Sequence, residues 1–207
     1  MYWVLSLLLF IFLGVCSGDY LDHTGRSDHQ AVQEREDQRV ISAINCKLKE
    51  SAYSYRLTVK QSGQVRAFTG QQQGENWMIQ ESEKKLKMER KGNHILIHVA
   101  GKEEEMTAKQ AGVISPRDHL QLIKEIAKSY HPVNGGAFNV EIDQHKWLEK
   151  LKERLYLEEE TPLFALSEKM QVNYRLLLAQ NGTKLKKITL TIKGYDPDQE
   201  QVLTYSF

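Results

Sequence analysis

Few reactive side chains in this sequence stand at spacings that chemistry uses. His94 and His98 have the H-x-x-x-H spacing that places two imidazoles on one metal when the segment is helical. Here Asn93, Ile95, Ile97 and Val99 alternate with His94, Leu96, His98 and Ala100, a period of two that predicts a strand. Four residues of strand separate the rings by about 13 Å, far beyond two metal bonds of about 2 Å each. The pair therefore reads as a polar stripe on the second face of a sheet. Asp118 and His119 are adjacent, so on a helix they point about 100° apart and cannot serve each other as a dyad. Gly101-Lys102 lacks the upstream Gly and the following Ser or Thr of a phosphate loop. His23 and His29 lie with Asp19, Asp22 and Asp28 in a polar stretch that nothing preorganises for a metal. There is no G-x-S-x-G, H-E-x-x-H or C-x-x-C. The expectation is a protein that is not an enzyme and needs no cofactor or metal.

The two cysteines, Cys16 and Cys46, are too few for a disulfide framework. Cys16 ends an apolar leader, and Cys46, left alone in an oxidising compartment, is expected to be buried. Net charge is +1, from 28 basic and 27 acidic residues. No global field draws such a chain onto nucleic acid, and no nucleic-acid partner is expected. With 207 residues, 41% of them hydrophobic, there is material for one domain with a real core.

Met1 to Val15 contains no charged side chain, and Cys16, Ser17 and Gly18 follow it as small residues. The run suits a signal-peptide core and is short for a span, which needs about 20 residues. Three readings stand side by side: cleavage after Gly18, acylation at Cys16, or a retained N-terminal anchor. In the second, Leu13-Gly14-Val15-Cys16 resembles a bacterial lipobox, departing from it at Val15. Each places the body of the chain outside the cytoplasm or at a membrane surface. The expected organisation is a leader or anchor over 1–18, a flexible tether over 19–34 and a single domain over 35–207.

The body must position whatever the chain binds. Ile41, Ile44 and Leu48 predict an amphipathic helix over Ala31 to Glu50. Tyr53, Tyr55, Leu57 and Val59 alternate with polar residues and open a meander of about five strands that ends near Ala100. Ser62-Gly63 and Lys91-Gly92-Asn93 are turns, and Glu103-Glu104-Glu105 reads as a solvated turn. Ser115-Pro116-Arg117-Asp118 is a helix start with a capping box, and that helix is expected to run to about Tyr130. Phe138, Val140 and Ile142 predict one short strand. A third helix over Gln144 to about Leu155 follows, with Trp147 and Leu148 on its dry face. The last third reads as strands around Asn181-Gly182. The predicted fold class is α+β: a single curved, half-barrel-like antiparallel sheet covered on one face by about three amphipathic helices.

An exported chain with this order of elements resembles the LolA-like and LppX-like lipoprotein carriers. The resemblance lies in the leader ending at Cys16, the helix before Ala52, the long meander, the helices starting at Ser115 and Gln144 and the closing hairpins. It implies a curved sheet wrapped around helices, an apolar cleft for a lipid or lipoprotein acyl chain, and a bacterial envelope location. From the residues alone, Tyr53, Tyr55, Leu57, Ile95, Ile97, Leu122, Ile126, Trp147, Leu176 and Leu190 are the side chains that would line a cleft, if there is one, and each reads first as plain core and second as ligand contact. Two functions follow: a carrier or sensor for an apolar or lipidated ligand, or an envelope or spore-assembly protein whose packed fold recruits a protein partner.

Overall fold

The computed structural model describes residues 28–81, 83, 86–107, 115–154, 171–180, 182–193 and 200–207. Three helices are described: α1 (Asp28–Lys49), α2 (Pro116–Ile126) and α3 (Gln144–Arg154). Eleven strands are described: β1 (Ala52–Gln61), β2 (Gln64–Gln73), β3 (Asn76–Glu81), β4 (Leu86–Lys91), β5 (His94–Val99), β6 (Lys102–Thr107), β7 (Ala127–Val133), β8 (Ala137–Ile142), β9 (Gln171–Leu178), β10 (Leu185–Lys193) and β11 (Gln201–Ser206). They form one antiparallel sheet in the order β6-β5-β4-β3-β2-β1-β11-β10-β9-β8-β7. The α+β class with one wide sheet and three helices stands. No described helix is long and apolar enough to cross a membrane.

The order follows from hairpin chemistry. Of the five connections from β1 through β6, four are two-residue loops, and the first of them, Ser62-Gly63, has φ of 48° and 75°. That left-handed pair is the turn whose twist matches two antiparallel strands. The meander thus runs outward from β1 to one edge. The chain then reappears at the opposite edge as β7 and works inward to β11, which pairs with β1 from Arg56↔Ser206 to Gln61↔Gln201. The sheet's two halves therefore meet at the first and last strands.

Three sequence expectations change. Glu103-Glu104-Glu105 is not a turn but the middle of edge strand β6, exposed throughout. A wet, charged edge strand resists pairing with another chain. Ala127 to Tyr130 is not the end of a helix. It opens β7, because Asn134-Gly135-Gly136 closes a hairpin onto β8 and pulls the segment into the sheet. Pro132 is tolerated there because β7 is an edge strand. Cys46 is exposed rather than buried, because Val40, Ala43, Ile44 and Lys47 take the inner face of α1. In addition, α1 starts at Asp28 and so takes in residues of the expected tether. Cys16 and the leader lie outside the described residues.

At the second edge, α1 does what charge does at the first. Gln33 donates to the Tyr130 carbonyl at 2.8 Å and Asp37 accepts from the Tyr130 amide at 3.1 Å. Those outward-facing groups of β7 would otherwise be open to another strand. Farther along, α1 lays Val40, Ala43 and Ile44 into the core, each fully buried. Its C-terminal Lys47 is 6% exposed. The Lys47 ammonium lies 3.9 Å from the Tyr53 ring centre and 4.2 Å from that of Phe207, with Glu50 at 2.9 Å. This is a cation–π clamp closed by an ion pair, and it holds α1 to the central strands.

Alternation puts Tyr55, Leu57, Val59, Phe68, Ile79, Met88, Ile97, Tyr174, Leu176, Ile188, Leu190 and Tyr205 on the inner face, in one continuous core. One contact in it is unusually close. A Cβ built on Gly70 would sit 2.3 Å from the Tyr55 ring, so the ring packs on bare backbone of the neighbouring strand. Gly70→Ala is expected to lower stability by about 1–3 kcal/mol, the cost of overpacking. In a Tyr55→Leu background the loss should shrink to a few tenths, read by urea unfolding. Equal losses in both backgrounds would assign the glycine a different role.

Candidate functional site

The sequence-predicted cleft residues fall into two groups by element. Tyr53, Tyr55, Leu57, Ile95, Ile97, Leu176 and Leu190 come from β1, β5, β9 and β10, while Leu122 and Ile126 come from α2 and Trp147 from α3. The fold brings all ten into, or against, the same apolar cluster between sheet and helices. Tyr53 is half-buried and the other nine are no more than 5% exposed. They form a packed seam.

At the N-terminal end of α2 the seam turns polar. Cross-strand register places Tyr53, Gln72, Trp77 and Arg90 side by side on β1, β2, β3 and β4. Above this row sits the capping box that starts α2. Ser115 Oγ accepts from the Asp118 amide at 3.1 Å and donates to Asp118 Oδ2 at 2.8 Å, and the Ser115 amide reaches the same oxygen at 3.3 Å. Arg90 approaches Asp118 at 3.8 Å. Arg117 fixes the helix start, donating to the Leu48 carbonyl at 2.7 Å and pairing with Glu75 at 3.0 Å. One turn's breadth away His119 Nδ1 lies 3.0 Å from the Tyr174 hydroxyl, and its ring packs against Tyr205 at 5.2 Å. Asp118 and His119 thus serve different partners, as adjacent helical positions must.

Four buried atoms in or beside this row have no hydrogen-bond partner among the described residues, Tyr53 Oη, Tyr55 Oη, Gln72 Oε1 and Trp77 Nε1, and away from it Glu81 Oε2 and Trp147 Nε1 are in the same position. Gln72 spends its amide nitrogen on the Gly74 and Asn76 carbonyls, at 2.9 and 3.2 Å, which leaves its oxygen over. Burial pushes the Tyr53 and Tyr55 phenols well above their ordinary range, and the Asp118 carboxylate adds to that push. Both are neutral donors at any physiological pH. Together the row offers two hydroxyls, one indole N–H, one amide carbonyl and a guanidinium. It can bind a polar group, but it holds no activated nucleophile.

Gln72, Trp77, Arg90 and Asp118 were not singled out from sequence as site residues. Their signal was register: Gln72 and Trp77 become neighbours only once β2 and β3 are paired. The histidines that did draw notice stand elsewhere, on the outer face of β5. His94 Nδ1 lies 2.5 Å from Glu105 and His98 Nδ1 lies 3.2 Å from Glu103, stapling β5 to the charged edge strand. Glu89, beside them, is held below the usual carboxylate range by Lys87 and Lys91.

A second cluster has the residue types of a hydrolase but not the geometry. On β7 and β8, Ser129 Oγ is 3.0 Å from His131 Nε2, which is 3.0 Å from Glu141 Oε2. Ser129 also donates directly to Glu141 at 2.7 Å. One ring nitrogen meets both partners, whereas a relay needs the acid on one nitrogen and the nucleophile on the other. All three side chains also stand on the open outer surface.

No protein-family model matches the sequence, and no curated protein matches it. Solved structures do align in fold. The lipoprotein LppX of Mycobacterium tuberculosis covers 87% of this chain and 94% of its own, at 7% identity and a TM-score of 0.46. LprF of Mycobacterium bovis covers 84% and 91%, at 8% identity and a TM-score of 0.43. A LolA superfamily protein of Nitrosomonas europaea covers 84% and 91%, at 8% identity and a TM-score of 0.39. The chain is similar to these three in the order and layering of its elements.

The Ser129 cluster gives a checkable titration. The Ser129 hydroxyl, and then His131, hold the Glu141 carboxyl below its ordinary value. These contacts therefore contribute above the ordinary carboxylate range and are lost as pH falls through the depressed value. Ser129→Ala should move the Glu141 titration back up, followed by carboxyl carbon chemical shifts. An unmoved midpoint would assign the depression to other groups.

Proposed function

We propose that this chain is a non-enzymatic, extracytoplasmic binding protein that holds an amphiphile. In this reading the apolar tail, an acyl chain, enters between the inner sheet face and the pair α2 and α3, and the N-terminal segment keeps the protein at a membrane. The polar head meets the row Tyr53, Gln72, Trp77 and Arg90. The observation that carries the reading is that row's unpartnered atoms. Gln72, Tyr55 and Trp77 are 2%, 4% and 4% exposed, yet each has a polar atom with no partner. An unsatisfied buried group costs about 1–3 kcal/mol, so several in one place are a standing cost that a ligand's head group would remove. The seam residues Leu57, Ile95, Ile97, Leu122, Ile126, Trp147, Leu176 and Leu190 supply the apolar path. Because they pack against one another in the empty protein, loading requires α2 and α3 to lift from the sheet.

That packing also favours a second reading, an envelope interaction protein with a filled core that recruits another protein. The two differ in what the mature chain carries. Native mass spectrometry of protein purified gently from its own host should show a bound amphiphile. The double substitution Tyr53→Phe with Tyr55→Phe should act with opposite signs on two readouts. It removes two unsatisfied hydroxyls and keeps both rings, so the ligand-free protein should gain about 1 kcal/mol or more of stability, read as a higher melting temperature. The amphiphile should be lost at milder collision energy. A wild-type chain with no passenger, cross-linked to a stoichiometric protein partner, would replace the carrier reading with the second.

A further inference from the structure

The sheet's outer face is divided by charge. Alternation places Arg175 on β9, Lys187 and Lys193 on β10, and Arg56 and Lys60 on β1 with their side chains away from the core, since Tyr174, Ile188, Ile192, Tyr55, Leu57 and Val59 point inward. Six consecutive strands of the sheet, β9-β10-β11-β1-β2-β3, put no acidic side chain on that face. Glu81, the one carboxylate in these strands, lies opposite Phe68 on the inner side and binds Arg66 at 2.8 Å. None of the five cations has an acidic partner among the described residues. The acids of the outer face lie beyond this area and are engaged: Glu141 by Ser129 and His131, Glu89 by Lys87 and Lys91, and Glu103 and Glu105 by histidines. A chain balanced to +1 overall thus gathers cations without acidic partners at the centre of this face and paired charges of both signs toward its edges.

Between the cations the surface is largely hydroxyl and amide, with Val65 and Val202 beside Lys60 and Leu177 beside Lys187. Register aligns Arg175, Thr189, Thr204 and Thr58 in one row across four strands, and Lys187, Ser206, Arg56 and Thr69 in the next. A shallow open depression of about 430 Å³ lies on this face, lined by Ser54, Arg56, Thr69, Gln71, Met78 and Ser206 among others. Arg175 to Arg56 spans three strand spacings, about 14 Å, and Arg56 to Lys60 runs about 13 Å along β1.

We infer that this outer face docks a linear polyanion, a polymer bearing phosphate groups along an extended backbone. The cations do not converge on one point, so they do not fit a single small anion. They lie on β9, β10 and β1 within a ladder of strands about 4.8 Å apart, with hydrogen-bond donors between them, which suits charges spaced along a chain. The outer faces of β9, β10, β11, β1, β2 and β3 carry no aromatic side chain, so there is no stacking platform for bases and no amphipathic ring to enter a bilayer interface. Binding here is independent of the inner seam and does not rest on the carrier reading.

The test uses the full chain and two probes: long-chain inorganic polyphosphate, and vesicles of phosphatidylglycerol with phosphatidylcholine. Polyphosphate should bind at low salt, with affinity falling steeply as salt rises. The variant Arg56→Gln, Lys60→Gln, Arg175→Gln, Lys187→Gln should bind about tenfold or more weakly, its salt slope reduced by about three. A matched variant, Lys49→Gln, Lys102→Gln, Lys124→Gln, Lys146→Gln, removes equal charge elsewhere and should bind as the parent does. Far-ultraviolet circular dichroism and melting confirm that both variants fold, and Arg56→Gln alone should already weaken binding measurably. Equal losses in the two quadruple variants, or no polyphosphate binding at low salt, would overturn the inference. Vesicle binding that needs the same four residues while polyphosphate does not bind would replace the polymer with a membrane surface.

Discussion

The structure depends on the pairing of its first strand with its last. β1 and β11 join in the middle of the sheet, from Arg56↔Ser206 to Gln61↔Gln201, and that ladder is where two separate meanders become one surface. β1 through β6 grow away from it in chain order, while β7 through β11 grow toward it from the other side. The chain changes edge between Thr107 and Ala127, and α2 lies within that passage. A helix required to travel from one edge to the other is placed against the sheet by topology before any side chain is considered. The side chains then fix its register: the Ser115–Asp118 capping box begins it, Arg117 ties it to Leu48 and Glu75, and His119 meets Tyr174 and Tyr205 from β9 and β11. Those tyrosines belong to the β7–β11 half, whereas Glu75 and Arg90, met by Arg117 and Asp118, belong to the β1–β6 half, so α2 bridges the two.

Width sets the second constraint. Ten strand spacings extend about 48 Å, whereas three helices about 10 Å across cover about 30 Å. A flat sheet of this size would leave apolar face in water, yet Ile95 and Ile97 near one edge and Phe138 near the other are 1–3% exposed. Those edge-proximal side chains are buried because the helices and sheet enclose one common core. The two edges are then protected differently. β6 carries Lys102, Glu103, Glu104 and Glu105 in the open, while α1 occupies the outward amide and carbonyl of Tyr130 on β7. Both devices block strand addition, and the second also locks α1 onto the sheet at one end while Lys47 does so at the other.

Much of this was legible in the residues. Period-two alternation gave β1, β5, β9 and β10 and the inner face they share, and turn chemistry at Ser62-Gly63 and Gly92-Asn93 gave the meander. The failures have a common cause. Ala127 to Tyr130 continues a helical apolar stripe, and only the β7–β8 pairing closed by Asn134-Gly135-Gly136 overrides it. Glu103-Glu104-Glu105 is strand because β5 offers it a partner, not because of its own propensity. Cys46 is exposed because the packing face of α1 was set by Val40, Ala43 and Ile44. In each case a long-range partner decided, and local pattern cannot see one. The same holds for the polar row. Tyr53 and Tyr55 were visible as inner-face residues, but Gln72, Trp77 and Arg90 join them only through the β1–β2–β3–β4 register.

The two faces of the sheet therefore divide the work. Inside, apolar side chains pack to near-complete burial, and four of the departures lie near the N-terminal end of α2, with Glu81 and Trp147 elsewhere. An interior evolved for stability alone would place phenylalanine where Tyr55 leaves a hydroxyl unpaired, since the ring packing against Gly70 and Tyr205 would be kept and the desolvation cost removed. Four such groups lie within one cross-strand neighbourhood. Outside, the absence of acidic side chains over six strands is likewise more than hairpin formation needs, because Glu and Asp would be as soluble there as Lys and Arg. Folding constraints account for the alternation that separates these faces, and neither the polar row nor the charge segregation follows from them.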